Sequence, residues 1–237
     1  SLKMKIHKIV KTTVLLHVFF MLPTIALSQN YSVSSDQWVA TDALGRKLSL
    51  ESEVGSEKSE KLVGMFYWTW HQSNGPGGDD ITNLTKLLAQ YDNATVQEMM
   101  DDFNHPNWEG KMNFTWDEPL FGYYHTTDPW LLRKHAEMLA DAKVDVVFFD
   151  CTNGDWTWKE SYTKLLEVWN QARLDGVKTP QIAFLLPFFA NDNSKSQLVE
   201  LYNDLYQPGL YQDLWFMWDG KPLIMAYPES LVPEEGS

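Results

Sequence analysis

Asp150, Thr152 and Asn153 place a carboxyl, a hydroxyl and a carboxamide within four positions, directly after the apolar run Val144-Asp145-Val146-Val147-Phe148-Phe149 and just before Gly154. A short β-branched and aromatic stretch that ends in a Gly-containing turn reads as a buried strand delivering polar groups to a loop. Asp150 then has three readings, which the sequence leaves open: a general acid or base, an acceptor for a ligand hydroxyl, or the cap of the turn that follows. Thr152 and Asn153 would orient ligand hydroxyls from a pocket wall, or would hydrogen-bond the turn itself. The second candidate carboxyl is Glu118, in an irregular segment ahead of Gly122-Tyr123-Tyr124. Its alternative is a solvated loop glutamate.

Aromatic residues cluster around the same segments. Trp68 and Trp70 end an apolar run, Trp116 precedes Glu118, and Tyr123 and Tyr124 follow it; Tyr227 ends a later run. Indole and phenol rings pack against the C–H faces of a pyranose and leave its hydroxyls free to pair. With eleven tryptophans in the chain, each of these rings is equally compatible with a place in the core. His71 follows the first run directly and His125 follows Tyr124, which makes them candidate ligand contacts. His135 lies on an apolar helical face and reads as structural. Cys151, the single cysteine, has no histidine near it in sequence and reads as a buried thiol. No pair of ligands has the short helical spacing of a metalloprotease motif, and no phosphate loop, dinucleotide fingerprint or Gly-x-Ser-x-Gly elbow occurs. No metal and no cofactor is expected.

The elements that must hold these groups alternate in type. The run 62–70 reads as a strand buried on both faces. Asp128-Pro129 is a strong helix start, followed by Leu131, Leu132, His135, Ala136, Leu139 and Ala142 on one face. Then come a strand over 144–150, a helix over 157–174 with Trp158, Tyr162, Leu165, Leu166 and Trp169 as a core stripe, and a strand over 181–188. A helix over 194–206 and a hairpin turning at Asp219-Gly220 complete the series. Such alternation predicts an α/β fold built from parallel βαβ units. The helical pieces near 81–89 and 96–103 are followed by the segment 104–118, which has no regular period and reads as a lid or binding loop.

Composition sets the wider frame. At 44% hydrophobic residues the chain is neither disordered nor filled with membrane spans. Residues 1–28 differ from the rest: Lys5, Lys8 and Lys11 precede an apolar stretch over 12–22, and Ala26-Leu27-Ser28 fits a cleavage site. The stretch is shorter than the roughly 20 residues of a membrane span, so a cleaved signal peptide is expected, with export to a periplasmic or extracellular location and no membrane insertion afterwards. The remaining residues carry a formal charge of −17, since the leader holds four lysines and no acid. A surface of that sign disfavours nucleic acid as a partner. Residues 29–60 read as a polar lead-in or linker, and 61–237 as the main domain.

Four sets of residues, in order, carry a family resemblance: Phe66-Tyr67-Trp68-Thr69-Trp70; Gly122-Tyr123-Tyr124 with Asp128-Pro129; Ala142-x-Val144-Asp145; and Trp218-Asp219-Gly220-Lys221-Pro222. Over residues 61–228 the chain resembles the barrels of glycoside hydrolase families 71 and 99 and their Bacteroidetes relatives of undefined activity. The resemblance implies a (β/α)8 TIM-type barrel of which this chain holds about the first half, and an exported hydrolase acting on an α-linked oligo- or polysaccharide. In family 99 the substrates are α-mannosides. Asp150-Cys151-Thr152-Asn153 stands where family 99 has a Ser-Trp-rich strand end, so the sugar does not carry over. The family's glutamate pair follows the strand matching 223–227, so it is expected wholly or partly beyond residue 237. Hydrolysis of a glycosidic bond needs two carboxyls, and Asp150 and Glu118 are the candidates within this chain. A non-catalytic glycan-binding protein on a barrel scaffold would use the same aromatic residues and is the alternative.

Overall fold

The computed structural model describes residues 40–56, 60–71, 81–109, 116–189 and 191–231. The expected leader, and residues 29–39 of the expected lead-in, lie outside them. In chain order the described elements are α1 (Glu51–Val54), β1 (Gly64–Tyr67), α2 (Leu84–Leu88), α3 (Asn93–Asp101), α4 (Pro129–Asp141), β2 (Val146–Asp150), α5 (Lys159–Leu174), β3 (Gln181–Leu185), α6 (Asn193–Leu201), β4 (Met217–Trp218), β5 (Lys221–Pro222) and β6 (Ile224–Met225).

The order β1-β2-β3-β6 makes one sheet in which every pairing is parallel. Parallel neighbours need crossover connections, and helices supply them here. The fold is therefore α/β. Side chains alternate across a strand. Val147, Phe149 and Cys151, with Ile182, Phe184 and Leu186, pack beneath Leu132 and Ala136 of α4, Leu165, Trp169 and Ala172 of α5, and Leu201 of α6. The opposite face carries a smaller cluster of Val146, Ala183 and Phe216 with half-buried Phe148 and Leu223. Asp150 shares the parity of Val146 and Phe148. The sheet formed by the described residues is open, with β1 and β6 at its edges, and these residues do not themselves form a closed barrel.

Several local expectations hold for their stated reasons. Asp128 Oδ1 accepts the amide of Leu131 at 3.1 Å and Pro129 opens α4. The Trp158 to Trp169 stripe is buried. Asp219 and Gly220 both take positive φ, 48° and 76°, in a two-residue hairpin turn between β4 and β5.

Two expectations are corrected and a third, the helix over 194–206, is refined. The run 62–70 pairs only over Gly64–Tyr67 and lies at a sheet edge, so Met65 and Phe66 are 43% and 48% exposed rather than buried on both faces. An edge strand has one neighbour, and its apolar side chains lack cover on the other side. The helix expected over 194–206 stands with nearly those bounds, as α6 to Leu201 continued by a π-helical turn over Tyr202–Tyr206. The segment 104–118 is not uniformly lid-like: Trp108 is 1% exposed and its indole N–H donates to the carbonyls of Met99 and Asp102, which fastens the start of the segment to α3. Residues 110–115 lie outside the described set.

Candidate functional site

Because the four strands run parallel, their carboxyl ends fall on one rim of the sheet, where polar strand-end residues gather in open α/β folds. β1 ends in Trp68-Thr69-Trp70-His71 and β2 in Asp150-Cys151-Thr152-Asn153. β3 continues to exposed Phe188 and Phe189, and β6 to half-buried Tyr227, whose ring meets Phe188 edge-on at 6.3 Å.

Asp150 is buried, at 3% exposure. Its Oδ1 accepts from the Thr152 amide at 3.0 Å and from the Thr152 hydroxyl at 2.7 Å. The carboxyl thus caps the turn that follows β2, the third of its sequence readings, and Thr152 serves that turn through its hydroxyl. Asn153 is exposed. Cys151 is fully buried, and burial with the neighbouring Asp150 charge pushes its thiol well above the ordinary range, which leaves it inert.

Four tryptophans run across the rim. Trp68 stacks on Trp70 with centroids 5.5 Å apart, Trp70 stacks on Trp158 at 5.9 Å and 11° between planes, and Trp158 meets Trp156 at 5.5 Å. The inner pair is largely covered, whereas the outer members Trp68 and Trp156 are 52% and 49% exposed. The Trp70 indole N–H donates to the Asp150 carbonyl at 3.0 Å, tying the β1 end to the β2 end. Trp156 and Trp158 are members that sequence reasoning missed. Trp158 was legible only as a core position of α5, and nothing local signals that it takes a left-handed conformation, φ 57° and ψ 46°, that turns its ring onto Trp70.

On the other side of Trp68 lies an open pocket of about 380 Å³ lined by Phe66, Tyr67, Trp68, His71, Tyr124 and His135. The loop carrying Tyr124 is fixed to the β1 end by two bonds: the Thr126 amide donates to the His71 carbonyl at 2.9 Å, and the Thr126 hydroxyl to the Thr69 carbonyl at 3.2 Å. The His71 ring sits between Trp116, at 4.6 Å, and Tyr124, at 4.9 Å, and its Nδ1 is buried without a hydrogen-bond partner among the described residues. Desolvation, with His135 nearby, lowers the His71 pKa to about 4, so the ring is neutral at pH 7 and has one donor and one acceptor nitrogen. His135, read as structural, does bond the Tyr67 hydroxyl at 2.8 Å through Nδ1, but it also lines the pocket.

Glu118 is not part of either group. It is exposed and accepts from the Thr85 hydroxyl at 2.7 Å, and the Tyr123 hydroxyl meets the same threonine at 3.1 Å. Tyr123 is therefore a tether between its loop and α2. His125 is half-buried, and its carbonyl accepts the Asp128 amide at 3.0 Å at the entry to α4. Among the described residues no group of three His, Cys, Asp or Glu side chains is placed to hold a metal ion. Among them, too, no helix is long and apolar enough to cross a membrane.

Two solved structures of the family 99 endo-alpha-mannosidase from Bacteroides thetaiotaomicron are similar to this chain. The one in complex with BIS-TRIS-propane matches at TM-score 0.44 and 17% identity over 72% of this chain and 44% of the enzyme. The other matches at TM-score 0.41 and 17% identity over 71% and 45%. The chain spans less than half the length of these enzymes. No protein-family model matches it, and no curated protein matches by sequence.

Proposed function

We propose that this is an exported glycan-processing protein, a glycoside hydrolase for an α-linked oligo- or polysaccharide, whose described residues supply the sugar-binding rim of a β/α barrel. The observation that carries the reading is the Trp68-Trp70-Trp158-Trp156 run at the carboxyl ends of the parallel strands, exposed at both ends and bonded to Asp150 in the middle. Exposed indoles beside hydroxyl-binding groups suit a sugar ring, whose C–H face packs on the indole while its hydroxyls pair with the polar groups. The neutral imidazole of His71 and the Tyr124 hydroxyl give the adjoining pocket such groups without a fixed charge, which suits an uncharged sugar.

One observation favours the second reading, a non-catalytic glycan-binding protein. Asp150 Oδ1 is taken up by the Thr152 turn and Glu118 by Thr85. The proposed reaction therefore needs a carboxylate pair supplied wholly or partly by residues other than these two, as the family resemblance implies.

Both readings meet the same experiment: the protein is titrated with a panel of α-linked oligosaccharides while tryptophan fluorescence and released reducing ends are followed. Quenching with turnover supports the hydrolase. Quenching alone supports the binding protein, and the absence of any quenching overturns both. Amino-terminal sequencing of the protein recovered outside the cell tests export, with Gln29 expected as the first residue.

A further inference from the structure

We infer that Gln197, with Glu200 one turn further along α6, is the positioning clamp of the tryptophan run. The inference rests on reading that run as the glycan platform. The loop 151–158 has to leave β2 and return Trp156 and Trp158 against Trp70, yet it contains Gly154 and the exposed Asn153 and Asp155, which bring it little packing. It must also hold Trp158 at φ 57°, ψ 46°, a left-handed conformation that a bulky residue keeps only when its surroundings enforce it.

The enforcement comes from α6. Gln197 is fully buried, and its Nε2 donates to the Cys151 carbonyl at 2.8 Å and the Trp156 carbonyl at 3.2 Å, with the Gly154 carbonyl at the outer limit of 3.5 Å. One amide thus gathers carbonyls from both limbs of the loop. Glu200, on the same helical face, accepts the Thr157 hydroxyl at 2.9 Å, next to the strained Trp158. Trp158 then has its ring stacked on Trp70 and its carbonyl accepting the Tyr162 amide at 3.0 Å to begin α5. Each tie is made to the backbone or to a threonine, so the clamp sets where the rings stand without touching a ligand. A buried glutamine amide aimed at three carbonyls of the loop that carries exposed Trp156 and buried Trp158 does more than fill the core, because the loop carbonyls could otherwise have turned to water.

The test replaces Gln197 by methionine, which keeps length and volume and removes the donors. Indoles stacked 5.9 Å apart couple their transitions, and wherever the in-plane transition moments are rotated relative to one another the Trp70–Trp158 pair gives an exciton band in circular dichroism; Trp158→Phe supplies the spectrum without it. Gln197→Met is expected to melt cooperatively, to lose at least half of that band, and to bind an α-linked mannotriose or maltotriose probe about tenfold or more weakly. A lowered melting temperature with the band and the affinity unchanged would overturn the inference and leave Gln197 a core residue only. Where the wild-type protein binds neither probe, the glycan reading fails while the spectral comparison still decides the clamp. Where Gln197→Met does not fold, Thr157→Val, which removes only the tie to Glu200, takes its place: a reduced band supports the clamp and an unaltered band overturns it.

Discussion

The indole N–H of Trp70 donates to the main-chain carbonyl of Asp150 at 3.0 Å, eighty residues further along the chain. This single bond joins the carboxyl ends of β1 and β2 and sets the Trp70 ring between Trp68 and Trp158. It also directs the Asp150 backbone to the tryptophan run while the side chain serves the Thr152 turn.

Trp70→Phe keeps a ring in the stack and deletes the donor. A half-buried hydrogen bond of this kind contributes about 1 kcal/mol, so urea unfolding should show a loss of that order with the cooperative slope retained. The same variant should narrow the glycan-dependent fluorescence change, because the ring is then free to tilt away from Trp158.

Asp150 separates a capping role from a chemical one. Asparagine retains an Oδ1 that can accept both Thr152 bonds, so Asp150→Asn should cost at most about 1 kcal/mol, while Asp150→Ala should cost about 1–2 kcal/mol through the unmade turn bonds. If the carboxylate also takes part in glycosidic-bond hydrolysis, Asp150→Asn should lower turnover by roughly two to four orders of magnitude at nearly unchanged stability. Turnover that is unchanged by Asp150→Asn assigns the carboxyl to the turn alone.

The histidine pocket should make stability depend on pH. His71 has a folded pKa of about 4, below its ordinary 6.5, and burial lowers His135 in the same direction. Between those values the unfolded chain binds the proton that the folded chain refuses, so stability rises with pH there. The contribution is whole above about pH 6.5 and is lost as the pH falls toward about 4. Melting temperatures of wild type and His71→Phe, measured from pH 7.5 to 4.5, should converge in shape only if another group carries this dependence; a shallower profile for the variant is expected.

Cys151 should not react with a disulfide reagent in the native protein. It is fully buried, its thiol is pushed up by desolvation, and it lies against the Thr157 carbonyl at 3.5 Å. Thiol titration should therefore follow the unfolding curve, and stoichiometric reaction under native conditions would show that the loop 151–158 opens readily.

Local chemistry was largely written in the sequence. The cap at Asp128-Pro129, the positive-φ turn at Asp219-Gly220, the core stripe of α5 and the parallel α/β alternation each follow from interactions within a few residues or from a plain hydrophobic period, and they stand in the structure as read. The aromatic character of the rim was legible too, since Trp68, Trp70, His71 and Tyr124 all border the run or its pocket. What only the tertiary structure decided were relationships between distant residues. Glu118 was drawn off to Thr85, Trp158 was turned onto Trp70 in a left-handed backbone, and Gln197 was brought to a loop more than forty positions away. The sequence also could not tell that the apolar run 62–70 would lie at an edge, because hydrophobicity records a side chain's preference for cover and says nothing of which neighbour provides it. Propensity and capping act along the chain, whereas contact across it depends on where packing places whole elements, and that is where the division falls.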